Sequence, residues 1–473
     1  MKQNVILGAG PAGLSCAYEL SRHGLNSVTI EKNSCVGGLA RTLNWGSNFA
    51  SDIGPHRFYS KKKEIYKIIE RLLGKKWVLV NRHTSFFIRG RYYNYPVNLS
   101  NVFKTAGPLK VGRMFFDYLA EKSKWKFKKS EPENFEEYAL KNFGRSLAEF
   151  NILNYTEKVW GLPCHKLSAD WGTQRIKNLS IKEIIKNLIV KSKNKPKTIV
   201  DHFYYPETGT GLIYERMAEE IKKKKSSIIA NAAVKEIRHS RKGIQQIKIN
   251  VKGKEKSIEC KNLISSIPII ELIECLKPIA PEEIFTAAKK LNYRSQVYLF
   301  LKLNKEKISG NQWIYFPELN IPFGRSYEPK NFSLKMCPKG KSSIVVEYFV
   351  TKNDKVWKKE GKELFEETVG ELEGMGLLKR GDVVGWNSHR EEKVYPVYDL
   401  KYKRNLQLII DYFNEFGNLH CIGRHGTFKY DNQDIAIQSG LNTAENIIKG
   451  KRSLWSIEEE REYLEKGKLR ESE

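Results

Sequence analysis

The first residues able to do chemistry form a glycine turn between two apolar stretches. An apolar run at residues 4–7 precedes it, and an apolar helical pattern follows from residue 14 to about residue 20. In a GxGxxG spacing, the first glycine permits a tight bend, the second lets a pyrophosphate approach the backbone, and the third lets helix and strand pack closely. The helix start offers N–H groups and a positive dipole end to phosphates. The predicted contacts of this dinucleotide turn are Gly8, Gly10, Pro11, Ala12 and Gly13.

A second strand pattern ends at Glu31, followed by Lys32. An acid at this position accepts hydrogen bonds from a ribose and favours a 2′-hydroxyl over a 2′-phosphate. An ordinary glycine-rich turn is the alternative. The strands on both sides and the placed acid favour dinucleotide binding, with Glu31 and Lys32 among its contacts.

A second glycine pair, Gly37-Gly38, follows closely and continues as Leu39-Ala40-Arg41. It resembles the GG motif of flavoproteins such as amine oxidases, protoporphyrinogen oxidases, phytoene desaturases and UDP-galactopyranose mutases. The resemblance implies buried FAD more than a diffusible nicotinamide, with contacts from Gly38 to Arg41. A plain loop between strand and helix is the alternative.

Composition limits the class of protein. A chain of 473 residues, 40% of them hydrophobic, predicts a globular protein of two or three domains. Its seven cysteines lack a CxxC pair, which predicts reduced thiols in the cytoplasm and no metal site. The first strand starts at once and no apolar run reaches about 18 residues, so neither a signal peptide nor a spanning helix is expected.

The chain is strongly basic, with 82 Lys+Arg against 54 Asp+Glu and a formal net charge of +28. Such a surplus suits nucleic acid, an acidic membrane surface or a phosphorylated substrate. Solvated lysine-rich faces are the favoured explanation for the bulk of the charge. Because no zinc-finger, RNA-recognition or helix-turn-helix signature accompanies it, nucleic acid is not predicted.

The predicted strands and helices that position these residues indicate an α/β protein. Its Rossmann-like FAD-binding domain (GR2-type) carries an inserted helical domain and an antiparallel β-sheet substrate domain. Strand-like runs near 227–237, 245–251 and 262–266 return the chain to the first sheet, and alternating apolar residues over 290–385 predict the second. The expected segments are 1–85, the first stretch of the FAD-binding domain; 86–200, a mainly helical insert; 201–268, the second FAD-binding stretch; 269–390, the substrate domain; 391–450, the third FAD-binding stretch; and 451–473, a charged tail.

Three further motifs could contact ligands. Gly54-Pro55-His56 is a turn that could present a histidine to the flavin ring, or a surface histidine without a role. The run from Lys158 to Trp160, with Arg175 downstream, suits either a substrate cleft or a core with basic rims. Gly423-Arg424 lies between a strand and a helix, where a phosphate can bind.

The order of these motifs from residue 4 to about 450 resembles the UDP-galactopyranose mutases, more the longer eukaryotic-type enzymes than the short bacterial ones. They belong to the FAD-dependent amine oxidase/protoporphyrinogen oxidase-like superfamily. The family's GGH turn matches Gly54-Pro55-His56 with one glycine replaced, and its Tyr-Pro-Phe-Gln segment matches Tyr95-Pro96-Val97-Asn98. Its Asn-Gln-Asp against the flavin matches Asn432-Gln433-Asp434, although the spacing from Tyr430 is shorter here.

The resemblance also implies a diphosphate clamp of two arginines and several tyrosines. A guanidinium binds phosphate oxygens bidentately, and phenols donate hydrogen bonds without adding charge. Arg325 and Arg424 are implied as catalytic residues that hold the departing diphosphate, and His56 as a catalytic residue against the flavin. The implied substrate contacts are Asn98, Tyr155, Trp160, Arg175, Tyr315, Arg325, Tyr395, Arg424 and Tyr430.

The function implied is a cytoplasmic isomerase that interconverts UDP-galactopyranose and UDP-galactofuranose, or a close UDP-sugar, for cell-surface glycan biosynthesis. The family's mechanism runs through a reduced-flavin N5–sugar adduct, with NADPH or NADH priming the FAD. An oxidase or desaturase of the same fold is the first alternative, and a flavin-free module like the GDP-dissociation inhibitors is the second. A homo-oligomer, and peripheral contact with an anionic membrane or glycan-assembly machinery, stay open.

Overall fold

The computed structural model describes residues 2–94, 107–128, 130–175, 202–452 and 455. The strands are β1 (Gln3–Leu7), β2 (Ser27–Ile30), β3 (Thr42–Asn44), β4 (Ala50–Asp52), β5 (Trp77–Asn81), β6 (Thr84–Ile88), β7 (Arg91–Asn94), β8 (His202–Pro206), β9 (Ser227–Ile229), β10 (Ala232–Ser240), β11 (Gly243–Val251), β12 (Lys254–Ser265), β13 (Leu276–Lys277), β14 (Tyr293–Leu303), β15 (Trp313–Tyr315), β16 (Arg325–Tyr327), β17 (Ser342–Val350), β18 (Val383–Pro396) and β19 (Leu419–Cys421).

The helices cover both sheets. They are α1 (Pro11–Arg22), α2 (Lys63–Leu73), α3 (Pro108–Lys128), α4 (Phe135–Phe143), α5 (Arg145–Leu147), α6 (Leu153–Trp160), α7 (Asp170–Arg175), α8 (Gly211–Lys222), α9 (Ile269–Glu274), α10 (Glu282–Lys289), α11 (Lys355–Lys358), α12 (Gly361–Gly374), α13 (Tyr402–Phe413), α14 (Gly423–Gly426) and α15 (Gln433–Ile448). Short 3-10 turns lie at Gly38–Ala40, Cys164–Lys166, Pro329–Asn331, Leu334–Met336 and Arg380–Asp382, and a π-helical turn lies at Ala148–Ile152.

The first sheet has a parallel centre. Strands β9, β2, β1, β12 and β19 lie side by side in that order, all parallel. The first half of β12 pairs antiparallel with β11, which continues the sheet to β10 and β13. Strand β1 is apolar because both of its faces are covered by helices. The strands expected to return the chain to the first sheet are therefore present.

Two layers of helices enclose this sheet. One layer is built from α1, α2, α8 and α15, and the other from α9, α10 and α13. Helix α15 packs so closely on α1 that a Cβ added to Gly440 would lie 2.2 Å from the Ala12 carbonyl oxygen. This packing brings the start of α15 beside the glycine turn.

The second sheet has the order β18, β14, β17, β16, β15, β6 and β7. All neighbours are antiparallel except β15 and β6. Along β14, Val297 and Leu299 face the cluster under α12, whereas Tyr298 and Phe300 face a second cluster on the opposite side. The alternation read from the sequence therefore marks a sheet buried on both faces.

The start of the expected helical insert differs from the prediction. Residues from 86 onward were assigned to the insert, but β6 and β7 form a hairpin over Thr84–Asn94 that joins the second sheet beside β15. Helices α3 to α7 follow, and their buried side chains pack against Phe349 and Tyr395 of that sheet. The other segment boundaries stay predictions, and nearly all of the charged tail lies outside the described residues.

In the ranges that the structure describes, no helix is both long enough and apolar enough to cross a membrane.

Candidate functional site

The first glycine turn joins β1 to α1. Gly8 has φ +93° and donates its N–H to the Ile30 carbonyl over 2.8 Å. A Cβ on Gly13 would lie 2.0 Å from the Gly8 carbonyl oxygen, so only glycine fits there. Gly10 is the N-cap of α1, Pro11 stands in the first turn, and no described side chain caps it. The first N–H groups of α1 are therefore available to an anion.

Two later glycines meet this turn. Gly38 has φ +54°, and a Cβ on it would lie 3.0 Å from the Gly10 Cα. Gly423, with φ +68°, opens α14, and a Cβ on it would lie 2.7 Å from the Ala12 Cβ. Three glycine motifs from distant parts of the chain thus converge on the start of α1.

Glu31 is buried at the end of β2, as the ribose assignment requires. Its Oε2 accepts from the Ala9 N–H and its Oε1 from the Asn33 N–H, each over 2.8 Å. Both oxygens keep further lone pairs for hydroxyl donors. Lys32 next to it is exposed.

The residues after the second glycine pair bridge the two sheets. Ala40 is buried, and Leu39 packs against the cluster formed by the helical insert. The Arg41 guanidinium donates to the Gly38 carbonyl over 2.7 Å and pairs with Glu391 of β18 over 2.5 Å. Arg41 therefore ties the glycine loop to the second sheet.

Asn432, Gln433 and Asp434 form the start of α15. Asn432 is its N-cap residue, Asp434 is buried, and Gln433 accepts a hydrogen bond from the Tyr214 hydroxyl over 2.6 Å. Since α15 packs on α1, this segment borders the same cleft.

A dinucleotide fits these residues. The glycines leave room where a Cβ would block the backbone, no described side chain caps the start of α1, and Glu31 is placed for a ribose. The part of the chain that could hold a flavin dinucleotide is therefore Gly8 to Gly13, Glu31, Gly38 to Arg41, and Gly423.

Arg325 lies at the edge of this cleft, at the start of β16. Its Nε forms a short ion pair with Oε2 of Glu347 on the neighbouring strand β17. Glu347 is fully buried, and 15% of the Arg325 side chain is exposed. Burial raises the pKa of Glu347, and the Arg325 guanidinium opposes that shift.

Arg424 stacks on two tyrosines. Its guanidinium carbon lies 5.4 Å from the Tyr395 ring centre and 4.9 Å from the Tyr430 ring centre, and these two rings stack at 5.1 Å. The guanidinium also donates to the carbonyls of Val394 and Asp431, over 3.2 Å and 3.1 Å. These contacts fix the direction of the cation.

Tyr315 and Tyr155 complete the group on the Arg325 side. Tyr315 is the strand partner of Arg325, and the Tyr155 ring meets the Tyr315 ring edge to face at 5.3 Å. Burial raises the pKa of Tyr155 and Tyr395 although Arg325 opposes it. Both phenols are therefore neutral donors at ordinary pH.

Trp160 supports this group from below. It is 1% exposed, with its ring 6.1 Å from Tyr395 and 5.9 Å from Tyr430. Its indole nitrogen has no hydrogen-bond partner within the described ranges. Trp160 therefore packs against the rings of Tyr395 and Tyr430.

The charges of Arg325 and Arg424 both act on His56. Burial, together with the charges of Arg424 and Arg325, lowers its pKa to about 3. Its Nδ1 is buried and has no partner among the described residues. Gly54 of the same turn is close to the ion pair, since a Cβ on it would lie 3.3 Å from Glu347 Oε1 and 3.7 Å from an Arg325 nitrogen. The imidazole is therefore neutral at the edge of the cleft.

The structure does not describe the side chains of two residues that were predicted to contact the substrate. Asn98 lies outside the described residues, and Arg175 ends α7 but its side chain is not described. Their assignment as substrate contacts stays a prediction, as do the ligand roles of the other assigned residues.

The sequence reasoning missed Glu347 and the role of Lys158. An acid within the apolar run of β17 was the available signal for Glu347. The Lys158 ammonium donates to the carbonyls of Phe316, Ile321 and Phe323 over 2.7, 2.8 and 3.1 Å. It thereby fixes the loop between β15 and β16, which carry Tyr315 and Arg325.

The sequence matches the family described as flavin containing amine oxidoreductase over residues 11–448. The chain belongs to this family. Membership agrees with the glycine cleft and confirms the predicted superfamily and a flavin as the cofactor.

Two relatives with assigned names are similar to part of the chain. A probable UDP-galactopyranose mutase of Klebsiella pneumoniae is 26% identical over 174 residues, 36% of this chain and 43% of that protein. A dTDP-fucopyranose mutase of Escherichia coli is 25% identical over 185 residues, 36% of this chain and 44% of that protein. The match therefore spans less than half the length of either relative.

Solved structures share the fold over almost the whole chain. A reduced UDP-galactopyranose mutase superposes with a TM-score of 0.81 at 23% identity, covering 98% of this chain and 97% of that one. A putative protoporphyrinogen oxidase from Exiguobacterium sp. 255-15 has a TM-score of 0.71 at 15% identity, covering 95% and 99%. These likenesses confirm the predicted fold class.

Proposed function

We propose that this protein is a flavin-dependent nucleotide-sugar mutase that interconverts UDP-galactopyranose and UDP-galactofuranose, or a close UDP-sugar. The observation that carries the proposal is the grouping of Arg325, Arg424 and their tyrosines beside the glycine cleft. The positive charges of both guanidiniums act to lower the pKa of Tyr395 and the pKa of His56. Two cations beside several neutral phenols suit a diphosphate. The names of the relatives support a sugar mutase.

In this proposal, the protein binds and orients the substrate. Arg325 and Arg424 hold the diphosphate and stabilise the charge that develops when it departs from the sugar. Tyr155, Tyr315 and Tyr395 donate hydrogen bonds without competing for the cations. When bound, a reduced flavin supplies the nucleophile for the anomeric carbon, as expected where a cofactor carries the hard chemistry.

His56 stays neutral in this arrangement. A neutral imidazole adds no third positive charge beside the diphosphate. We propose that it lies against the flavin ring, where its buried Nδ1 finds a partner.

The test is turnover of UDP-galactofuranose by the purified protein, reduced with dithionite, beside an oxidised sample. Chromatography follows UDP-galactopyranose. We expect conversion in the reduced sample alone. A flavin-loaded protein that converts neither this substrate nor dTDP-fucofuranose, and from which UDP displaces no UDP-probe, would rule out the mutase and the clamp together.

An oxidase is the second candidate, because the family is named for amine oxidoreductases and a putrescine oxidase shares the fold with a TM-score of 0.64 at 16% identity. An oxidase consumes oxygen or another acceptor in every turnover, whereas a mutase returns its flavin unchanged. Oxygen uptake with putrescine or protoporphyrinogen, measured beside the mutase assay, separates the two.

We further propose FAD as the flavin, NADPH or NADH as the priming reductant, and a eukaryotic-type mutase of the cytoplasm. Anaerobic bleaching of the flavin by each nicotinamide tests the reductant. Equal failure of both, with turnover after dithionite, would exclude nicotinamide priming and leave the mutase intact.

A further inference from the structure

Helix α3 has an inner and an outer face of different character. On the inner face, Met114, Tyr118 and Trp125 are buried, at spacings of four and seven residues. Tyr118 belongs to the same buried cluster as Trp160. The inner face therefore attaches α3 to the part of the protein that carries the candidate site.

The outer face is apolar and exposed. Leu109 is 90% exposed, Phe116 70% and Phe127 80%, and their spacings of seven and eleven residues place them in one line along the helix. Phe115 and Leu119 widen this line, at 39% and 44% exposed. Large apolar groups in a contiguous exposed patch mark an interaction surface.

Cations border the outer face. Arg113 and Lys124 lie along one side, with 81% and 69% of their side chains exposed. Lys126 lies along the other side and is exposed, whereas the Lys122 ammonium turns to the inner face and donates to the Tyr118 hydroxyl over 2.9 Å. The acids of α3, Asp117 and Glu121, are 33% and 13% exposed and pair with Arg113 and Lys124 over 4.0 and 3.9 Å. From Pro108 to Lys128 the sequence has six basic and two acidic residues, so the helix keeps a net positive charge beside the apolar line.

We propose that the outer face of α3 docks on an anionic membrane surface, with the helix in the plane of the interface. Phenylalanine and leucine side chains enter the boundary between headgroups and acyl chains, and lysine and arginine bind lipid phosphates. The net charge of +28 attracts the whole protein to the same surface. A second copy of the chain would instead bring like charges against each other around the same apolar line.

The experiment is sedimentation of the full-length flavoprotein with vesicles of phosphatidylcholine, with and without phosphatidylglycerol. We expect binding to the anionic vesicles that weakens with salt, and weak binding to phosphatidylcholine alone. The variant F116S/F127S should lose about tenfold or more in partitioning, since two large apolar groups leave the interface. The variant R113Q/K124Q should lose about fivefold or more.

Matched variants lie elsewhere on the surface. I279S/L334S removes two apolar side chains that are 70% and 75% exposed. K222Q/K224Q removes two exposed lysines from another basic run. Both control variants should bind anionic vesicles as the wild type does.

Three results would overturn the proposal. The first is equal loss in the control and α3 variants, which would mean unspecific attraction. The second is wild-type binding that ignores phosphatidylglycerol. The third is a fall in solution mass of F116S/F127S, measured by light scattering, with vesicle binding unchanged, which would make the outer face an interface between copies. If F116S/F127S fails to retain flavin, R113Q/K124Q decides alone.

Discussion

Replacing Glu347 by alanine should leave the Arg325 guanidinium without its counter-charge inside the protein. Glu347 has none of its side chain exposed and Arg325 only 15%, so water replaces little of the lost interaction. Breaking one side of a buried ion pair costs about 3–5 kcal/mol. E347A should therefore lose about that much free energy of unfolding, and E347Q less, because the amide oxygen still accepts a hydrogen bond.

A bound diphosphate should change this loss. If Arg325 holds the diphosphate, UDP supplies a new negative partner to the stranded guanidinium. In the wild type, UDP at about 100 times its Kd should stabilise the folded state by about 2.7 kcal/mol. In E347A the same UDP concentration should stabilise it by more, which by linkage means tighter UDP binding.

The assay is denaturant unfolding of the flavoprotein with and without UDP, beside E328A as the matched control. Glu328 is also buried, and burial raises its pKa to about 7, but it accepts hydrogen bonds from Ser309. E328A should lose stability that UDP does not restore beyond its wild-type effect. Wild-type stability in E347A, or an equal UDP effect in E347A and E328A, would refute the role assigned to the ion pair.

Three further predictions concern the cleft. Among the described residues, a Cβ on Gly10 would meet the Gly38 Cα alone, at 3.7 Å, so G10A should fold. Its methyl group would block the approach of a pyrophosphate to the backbone, so the variant should lose bound flavin, measured by flavin absorbance. G374A in α12, where a Cβ meets nothing within 4 Å, should keep its flavin. R424K keeps the charge but loses the forked contacts, so kcat/KM should fall roughly tenfold or more with UDP-galactofuranose. The lowered pKa of His56, about 3 against 6.5, means that the unfolded chain binds a proton the folded protein excludes, so stability falls as pH falls through this range. From pH 7 to pH 5, H56Q should lose about 2 kcal/mol less than the wild type on denaturant unfolding.

Local patterns in the sequence determined the frame of the cleft. The spacing of Gly8, Gly10 and Gly13 predicts a strand, a turn and a helix because a backbone that must bend and admit a ligand excludes a Cβ. The alternation around Val297 predicts a strand because side chains of a strand point to opposite faces. These signals depend only on near neighbours in the chain, so the sequence carries them directly.

The position of β6 and β7 in the second sheet could not be predicted from local patterns. Residues from 86 onward were assigned to a mainly helical insert, yet the hairpin of β6 and β7 completes the second sheet because β6 pairs with β15, more than two hundred residues later in the chain. The choice of a strand's neighbour depends on such distant contacts.

The tertiary structure alone decided how the charged groups of the site interact. The sequence contains Glu347 as one acid in an apolar strand, but its ion pair with Arg325 exists because β16 and β17 are neighbours. His56 is neutral because folding brings it near both arginines and away from water. The exposure of Phe116 also follows from which face of α3 the rest of the protein covers. Burial and the approach of distant charges are properties of the folded chain, and no local pattern encodes them.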